Sequence, residues 1–281
     1  MHIMLSFLLI GMAFFILDQR HLMISSLFAC GLLCVFLKDA SHQALFYSRL
    51  NQADEFRVMH INAASAERQY EEVLDLIKIN NPDIIAIQEC TPDWFYFFNK
   101  TIENYPYSHQ IELPMSFGSI LYSKYILHPI DTIYINQIPN LVSEIALREN
   151  QKLTIFNTYL HTPQIKNDSL GVKNNLALFS RAINAAPESV ILHIGDFNLT
   201  YWSGSILDYR LETRLQNSRK GIDLSKMYVP YDHIFYSEQL ECTNFQDLEL
   251  DNGQHVGILG DYYFKYAVME QDFIRSKLIK F

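Results

Sequence analysis

The sequence predicts an α/β domain of two facing mixed sheets covered by helices, preceded by an apolar N-terminal segment. Short apolar runs typical of buried strands alternate with stretches of helical periodicity over most of the chain. Several of these runs end in Asn, Gln, Asp or Glu. The 281 residues, 49% of them hydrophobic, suffice for one large domain and a small appendage. We therefore expect a four-layer α/β sandwich, with a functional site where strand ends from both sheets converge.

The N-terminal segment holds two apolar runs within residues 4–37, separated by Asp18-Gln19-Arg20-His21. Each run approaches the roughly 17–20 residues that span a bilayer, and the short polar break suits a tight helical hairpin. A cleaved signal peptide fits less well, because no basic residue precedes the first run and no Ala-x-Ala site follows it. We predict a transmembrane helical hairpin over residues 1–38, in contact with the lipid bilayer, and a juxtamembrane linker over residues 39–55.

Helix and strand signals alternate along residues 56–281, which we predict to form the large α/β domain. Apolar spacing and capping residues predict helices over residues 66–79, from Thr91-Pro92 onward, and over about 170–185. Strands are expected at residues 119–122, 125–134, 143–148 and 152–160. Their short connections are typical of an antiparallel meander.

The most informative motif is Gly195-Asp196-Phe197-Asn198, directly after the apolar run at residues 190–194. A buried strand that ends in this way delivers a carboxylate and an amide to the edge of the sheet. Such groups bind hard cations and phosphate oxygens, although Gly, Asp and Asn are also ordinary turn residues. The motif is therefore only a candidate site, and a second group of polar residues at a strand end is needed to support it.

That second group lies about a hundred residues earlier, where an apolar run ends in Gln88-Glu89. A run that ends in Asn62 precedes it, and later strands begin with Asp232 or contain Asp261. Mg²⁺ prefers carboxylate oxygens together with retained waters. The sequence therefore predicts the site of a divalent-metal phosphoesterase.

The order of these motifs resembles the endonuclease/exonuclease/phosphatase superfamily, whose fold is deoxyribonuclease I-like. The shared order is Asn62, Gln88-Glu89, the Gly118 to Ser123 strand, the strand near His161, the Gly195–Asn198 motif and Asp232-His233-Ile234. The chain looks similar to the membrane-attached bacterial members. This resemblance implies a membrane location, the bacterial inner membrane, for the protein.

The resemblance also implies a mechanism, the metal-assisted hydrolysis of a phosphodiester or phosphomonoester. Glu89 is expected to bind Mg²⁺ or Mn²⁺, with Asn62 and Asp261 close by. Asp196 and Asn198 are expected to orient the attacking water and a phosphate oxygen.

The family's closing motif ends in His, but the stretch matched to it here reads Gly260-Asp261-Tyr262-Tyr263. Tyr262 is therefore expected to face Asp232. With an unperturbed pKa near 10, a phenol is a poor proton acceptor at neutral pH. A second interpretation therefore stays open, a pseudoenzyme that binds a phosphorylated ligand or partner without turnover.

The family's other His position corresponds to either His161 or Tyr159. These residues are two apart on a strand and point to the same face, so either can reach the site. Pro163, which opens the following loop, favours His161. The remaining histidines that lack a motif are expected to be non-catalytic: His60, His109, His193 and His255.

Charge and cysteine content narrow the substrate and cofactor classes. The net charge of −9 lies entirely on residues 40–281, because the charges before them cancel. Such a surface disfavours a long nucleic acid as substrate, whereas a small phosphoester or a lipid headgroup is less affected. The four cysteines include no Cys-x-x-Cys, which argues against a thiolate zinc site.

Overall fold

A computed structural model of the chain describes residues 2–41, 55–114, 117–148, 151–160, 169–219 and 229–265. Its helices are α1 (His2–Ile16), α2 (Arg20–Ala40), α3 (Tyr70–Asn80), α4 (Pro92–Thr101), α5 (Ser169–Asn184) and α6 (Gly204–Thr213). The first six strands are β1 (Phe56–Asn62), β2 (Ile84–Cys90), β3 (Tyr107–Ile111), β4 (Gly118–Ser123), β5 (Ile126–Ile135) and β6 (Ile138–Arg148). The others are β7 (Gln151–Tyr159), β8 (Ile191–Asp196), β9 (Gln216–Asn217), β10 (Asp232–Tyr236), β11 (Leu240–Glu249) and β12 (His255–Phe264).

These strands form two six-stranded mixed sheets. The first has the order β11-β12-β1-β2-β4-β3, and the second has the order β5-β6-β7-β8-β10-β9. Within the first sheet, β1 runs parallel to β2 and antiparallel to β12. Within the second, β8 runs parallel to β7 and antiparallel to β10. In the first sheet, the carboxyl end of β1 therefore lies beside the amino end of β12. In the second sheet, the carboxyl end of β8 lies beside the amino end of β10.

Three apolar clusters show how the four layers are held together. Alternate strand residues such as Val58, Ile84 and Ile194 lie between the sheets, as the two-residue period of a strand requires. Met59, on the opposite face of β1, packs with α3 and α4 in the second cluster. The third cluster joins α5 and α6 to the other sheet, around Phe179 and Phe235. The predicted four-layer α/β sandwich is confirmed.

The predicted helices and strands are present, but some boundaries differ and the topology differs at one strand. The strand predicted at residues 143–148 begins five residues earlier, as β6. The helices predicted at 66–79, 91 onward and 170–185 correspond to α3, α4 and α5, and α3 begins four residues later than expected. Strands β5, β6 and β7 form the expected antiparallel meander. Strand β4 instead pairs with β2 and β3 in the other sheet, because the chain crosses between sheets at Lys124-Tyr125.

The apolar segment forms a helical hairpin in which α1 packs on α2. Ser26 donates a hydrogen bond from its hydroxyl to the Phe7 carbonyl, and Gly11 lies directly against Ser26. One helix among the described residues, α2, is long and apolar enough to cross a membrane, and α1 is a shorter apolar helix. Large apolar side chains of both helices face outward, including Phe15, Leu32 and Val35. The predicted linker lies mostly in residues 42–54, outside the described residues.

Candidate active site

The candidate site lies where the ends of β1 and β2 meet the ends of β8 and β10 across the two sheets. Asn62 and Gln88 are register partners at the carboxyl ends of β1 and β2. Asp196 and Asp232 are register partners on β8 and β10. Asn62 connects these two halves, because its amide nitrogen donates to Glu89 Oε1 at 2.7 Å and to Asp196 Oδ2 at 3.2 Å. Carboxylates from different sheets are thereby held side by side.

The Asn62 side chain is itself fixed by the turn that follows β1. Its amide oxygen accepts hydrogen bonds from the backbone N–H groups of Ala64 at 3.0 Å and Ser65 at 3.3 Å. This Asx-type turn ends the strand and turns the amide nitrogen toward the two carboxylates. Asn62 therefore both ends the strand and positions two carboxylates.

Backbone conformation aims the acidic residues at the site. Glu89 and Asn198 both have positive φ, 54° and 50°, in the left-handed region that few non-glycine residues adopt. Gly195 has φ of 149°, and a Cβ there would collide with the Thr158 carbonyl oxygen and the Gln88 amide nitrogen. The motif therefore needs glycine at position 195, so that β7 and Gln88 can approach β8 closely.

Gln88 is a fully buried residue that joins the two sheets beneath the carboxylates. Its amide oxygen accepts hydrogen bonds from the Asp196 backbone N–H at 3.1 Å and from His60 Nε2 at 3.0 Å. Its amide nitrogen donates to Asn157 Oδ1 at 2.7 Å and to the Thr158 carbonyl. Gln88 thus sets the position of the Asp196 backbone relative to β2.

Asp196 is a buried acceptor surrounded by other carboxylates. It accepts a hydrogen bond from the Asn198 backbone N–H at 2.7 Å. Burial and, after it, the negative charge of Asp232 raise the pKa of Asp196 to about 8. The site is therefore a place where negative charge is concentrated and where a cation would relieve the repulsion.

Asp232 has a partner that the sequence did not predict. His255 Nε2 donates to Asp232 Oδ2 at 2.5 Å, and the His255 side chain is 18% exposed while Asp232 is buried. Burial acts to raise the pKa of Asp232, but the hydrogen bond from His255 and the neighbouring imidazoles outweigh it and lower that pKa. His255, at the start of β12, therefore occupies the position beside Asp232 that had been assigned to Tyr262.

The expectation that Tyr262 faces Asp232 is wrong. Tyr262 is fully buried between the sheets, where its hydroxyl shares a 2.7 Å hydrogen bond with the Ser218 hydroxyl. Its ring packs against Phe56 and Tyr236, with ring centroids 5.8 and 5.6 Å away. The β1–β12 register explains the difference, because Tyr262 pairs with Phe56, at the end of β1 remote from the site.

Asp261 is likewise not placed as a metal ligand. It forms a two-bond ion pair with Arg57, with Nε to Oδ1 at 2.6 Å and Nη2 to Oδ2 at 3.0 Å. Arg57 is the second residue of β1, whereas Asn62 is the last. The length of the strand therefore separates Asp261 from Glu89.

Of the two residues proposed for the family's other His position, the structure describes Tyr159. Tyr159, the register partner of Asp196 on β7, is buried against Phe117. Burial first, and then the charges of Glu89 and Asp196, raise the pKa of its hydroxyl, so it is a hydrogen-bond donor at neutral pH. Asn198 donates from its side chain to the Leu160 carbonyl at 2.8 Å, which ties the strand end to the Gly195–Asn198 motif. His161 lies outside the described residues.

The donor set suits a hard divalent cation. Within the described ranges, no group of three or more His, Cys, Asp and Glu side chains forms a complete metal-binding cluster. Glu89 lies beside the buried Asp196 carboxylate, and the Asn62 amide nitrogen donates to both. The Asn62 amide oxygen is bonded to backbone N–H groups of the following turn, so Asn62 positions the carboxylates and is not placed as an oxygen ligand. A partial set of oxygen ligands fits Mg²⁺, which usually keeps several waters and binds through one or two carboxylates.

A family model agrees with this geometry. The model of the Endonuclease/Exonuclease/phosphatase family matches residues 56–252. The chain belongs to the endonuclease/exonuclease/phosphatase family. Members of this family hydrolyse phosphoester bonds, so membership implies the general class of phosphoester hydrolases. Among curated proteins, none matches the sequence significantly.

Solved structures show the same fold at low sequence identity. A humanized TDP2 from D. rerio is 16% identical, with a TM-score of 0.60 and coverage of 74% of this chain and 98% of that one. An endonuclease/exonuclease/phosphatase protein from Bacteroides vulgatus is 15% identical, with a TM-score of 0.60 and coverage of 75% and 99%. One from Beutenbergia cavernae is 13% identical, with a TM-score of 0.59 and coverage of 75% and 72%. The likeness extends over the sandwich and supports the fold assignment.

Proposed function

We propose that the protein is a membrane-anchored, divalent-metal-dependent phosphoesterase that hydrolyses a phosphodiester or phosphomonoester. The observation that carries the proposal is the meeting of two pairs of side chains from both sheets. Glu89 lies beside Asp196 through Asn62, and Asp232 holds His255. Metal-assisted hydrolysis needs both halves, a set of oxygen ligands and a group that can hold a proton.

Each group has a separate task in the proposed reaction. Glu89 would hold Mg²⁺ or Mn²⁺, which would neutralise charge on the phosphoryl oxygens, and Asn62 would position the Glu89 carboxylate. Asp196, fixed by Asn62 and the Asn198 backbone N–H, would accept a hydrogen bond from the attacking water. His255 would donate to a phosphoryl oxygen or carry a proton, because the hydrogen bond to Asp232 fixes the orientation of its ring.

The pseudoenzyme interpretation loses the observation that favoured it. That interpretation depended on Tyr262 standing where the family has His. Tyr262 lies in the core, and His255 is the residue beside Asp232. A cluster of buried carboxylates is also costly unless a cation or a reaction makes use of it.

Charge and neighbours suggest which substrates to compare. The net charge of −9 disfavours long nucleic acids and leaves small phosphoesters and lipid headgroups as the favoured classes. A D. rerio TDP2 of the same fold was crystallised with a single-strand DNA product, so single-stranded DNA belongs in the comparison.

A hydrolysis screen of the full-length protein in detergent tests the proposed function. The substrates are p-nitrophenyl phosphate, bis(p-nitrophenyl) phosphate, a single-stranded oligonucleotide and phospholipid vesicles, each with MgCl₂, with MnCl₂ or with EDTA. We expect turnover of at least one substrate that EDTA abolishes and added metal restores. A His109→Ala variant, altered at a histidine that bonds Ser143 outside the site, should behave as the parent does. The absence of metal-stimulated turnover on every substrate would contradict the proposal.

Membrane anchoring is supported by the surface of the hairpin. The exposed apolar side chains of α1 and α2 form a far larger apolar patch than a soluble surface usually carries. The last residue of α2, Ala40, is buried against the catalytic domain, which a cleaved signal peptide would not require. We expect the full-length protein to stay in the membrane fraction through carbonate extraction. Release into the supernatant, or a mature N-terminus beyond residue 25, would favour a signal peptide.

A further inference from the structure

The end of the second apolar helix is bonded directly to the catalytic domain. The Ala40 carbonyl, at the end of α2, accepts hydrogen bonds from Arg210 Nη1 at 2.6 Å and from Asn217 Nδ2 at 3.3 Å. Ala40 and the following Ser41 are almost fully buried. Arg210 lies on α6 and Asn217 on β9, so two elements of the sandwich hold the helix end.

Both side chains that hold Ala40 are fixed by further bonds. Arg210 Nε donates to the Leu215 carbonyl at 3.4 Å, and the Asn217 amide oxygen accepts from the Arg219 backbone N–H at 3.0 Å. Burial lowers the pKa of Arg210, while the charge of Asp39 acts to raise it. The helix end therefore meets a formed and partly desolvated surface.

The distance between the apolar helix and this contact is very short. The apolar run ends at Leu37, and only Lys38 and Asp39 separate it from Ala40. The three helical steps from Leu37 to Ala40 advance about 4.5 Å, whereas the headgroup layer of one leaflet is about 5–7 Å thick. With α2 across a bilayer, the surface formed by α6 and β9 must lie within the headgroup layer.

The candidate site is close to that surface. Asn217 is the register partner of Phe235 on β10, and Asp232 begins the same strand three residues away. Three strand residues extend about 10 Å, so the site lies within roughly 15–20 Å of the docked helix end. A flexible tether would let the domain turn freely, but this contact holds the site at one height and one orientation.

We propose that the docking of α2 on α6 and β9 holds the active site at the bilayer surface, so that the enzyme acts on phosphoesters presented there rather than in bulk solution. This inference rests on the proposed hydrolase function. The shared chemistry is a phosphodiester, which can come from a lipid headgroup or from a soluble ester, and the experiment must separate these sources.

The first measurement compares hydrolysis of the same p-nitrophenyl phosphodiester group in the bilayer and in solution. Full-length protein in phosphatidylcholine vesicles receives either hexadecyl p-nitrophenyl phosphate, which inserts in the bilayer, or the soluble ethyl ester, both with MgCl₂. We expect the parent to prefer the inserted ester. Arg210→Ala should reduce the inserted-to-soluble rate ratio by about tenfold or more, because a loosely held domain loses effective concentration at the surface. Its rate on the soluble ester should stay unchanged.

Two variants serve as controls for Arg210→Ala. Arg210→Lys keeps a charged donor and should retain part of the preference. Asp208→Asn, which removes an exposed ion pair with Lys173 on the same helix, should retain all of it. Thermal unfolding of each variant checks that the sandwich is intact. A parent without preference for the inserted ester, or an Arg210→Ala variant that keeps the preference, would overturn the proposal.

A second measurement tests the docking without any need for activity. A nitroxide is attached at Leu211→Cys on α6 or at Tyr96→Cys on α4, both strongly exposed positions, in a Cys34→Ser background. Vesicles carry a Ni²⁺-chelating lipid, which relaxes nitroxides near the headgroups. We expect stronger relaxation at 211 than at 96, and a smaller difference after Arg210→Ala. Equal relaxation at both positions in the parent would overturn the docking. A parent that shows the depth difference but hydrolyses neither ester nor any substrate of the screen would overturn the proposed function alone.

Discussion

The two ends of the β1–β12 strand pair carry similar residue types but have different chemistry. At one end, Asn62 reaches two carboxylates and His255 binds Asp232. At the other end, Asp261 is neutralised by Arg57, and Tyr262 is packed in the core. Both ends contain polar groups within apolar runs, and the sequence alone does not distinguish them.

Strand direction decides which end contributes to the site. Strand β1 brings its last residue to the candidate site, so the polar residue at the end of its apolar run, Asn62, lies there. Strand β12 runs antiparallel to β1, with Ile61 paired to Gly257 and Arg57 to Asp261. The residue of β12 that lies at the candidate site is therefore its first, His255. A search for polar residues after the apolar run of β12 finds Asp261 and Tyr262, which lie at the opposite end of the strand.

The largest effect on turnover is expected from a change at His255, which lies at the end of the strand pair that forms the candidate site. Replacing it by Ala removes the imidazole that Asp232 holds and should lower kcat by about 10²–10⁴-fold, the usual range for loss of an acid-base group. Steady-state kinetics with the substrate found in the screen measure the change. The matched variant at the other end is Tyr262→Phe, and a comparable loss of kcat from that variant would show that the functional end is misassigned.

The next largest effect is expected at Glu89. Glu89→Gln keeps the shape of the side chain but removes the negative charge that a cation needs, and it should weaken Mg²⁺ binding by at least about tenfold. Isothermal titration calorimetry of the parent and the variant measures the affinity. Asp261→Asn removes the same charge at the opposite end and is the matched control. Equal Mg²⁺ affinity in the Glu89→Gln variant would exclude Glu89 as a ligand.

A moderate effect on stability, rather than on activity, is expected at Asp261. Asp261→Asn breaks the ion pair with Arg57 and should lower the free energy of unfolding by about 1–2 kcal/mol. The Arg57 side chain is 39% exposed, so water solvates its charge in the variant and limits the loss. Urea unfolding measures the change. Reduced Mg²⁺ affinity in a variant of unchanged stability would return Asp261 to the site.

The smallest effect is expected from Tyr262→Phe. This change removes one buried hydrogen bond to Ser218 and should cost about 1 kcal/mol of stability with kcat unchanged. Thermal unfolding and kinetics on the same preparation measure both quantities. Tyr262→His would place an imidazole among apolar side chains and should gain no activity. A rise in turnover with that variant would restore the view that position 262 faces the substrate.

The sandwich could be predicted from the sequence because apolar periodicity and capping signals act locally. Asn62, Glu89, Asp196 and Asp232 could be predicted as a group because each directly follows or begins an apolar run at a central strand end. His255 could not, since its place depends on the register of two strands almost two hundred residues apart in sequence. Gln88 belongs to the Gln88-Glu89 motif and could be identified from the sequence. Its buried hydrogen bonds to Asp196 and Asn157 could not be predicted, because they depend on contacts between the sheets.

The chain order of β1 and β12 also has a consequence for folding during synthesis. Strand β1 has β12, nearly the last described element, as its neighbour, and this strand brings His255 to Asp232. Pairings between segments so distant in sequence form slowly, because a long loop must close before their contacts stabilise the chain. In the proposed membrane-anchored protein, the apolar helices enter the bilayer while most of the domain has still to be synthesised. A ribosome stalled before residue 255 would therefore carry a chain with an incomplete candidate site, and we expect the proposed activity only after β12 has been synthesised.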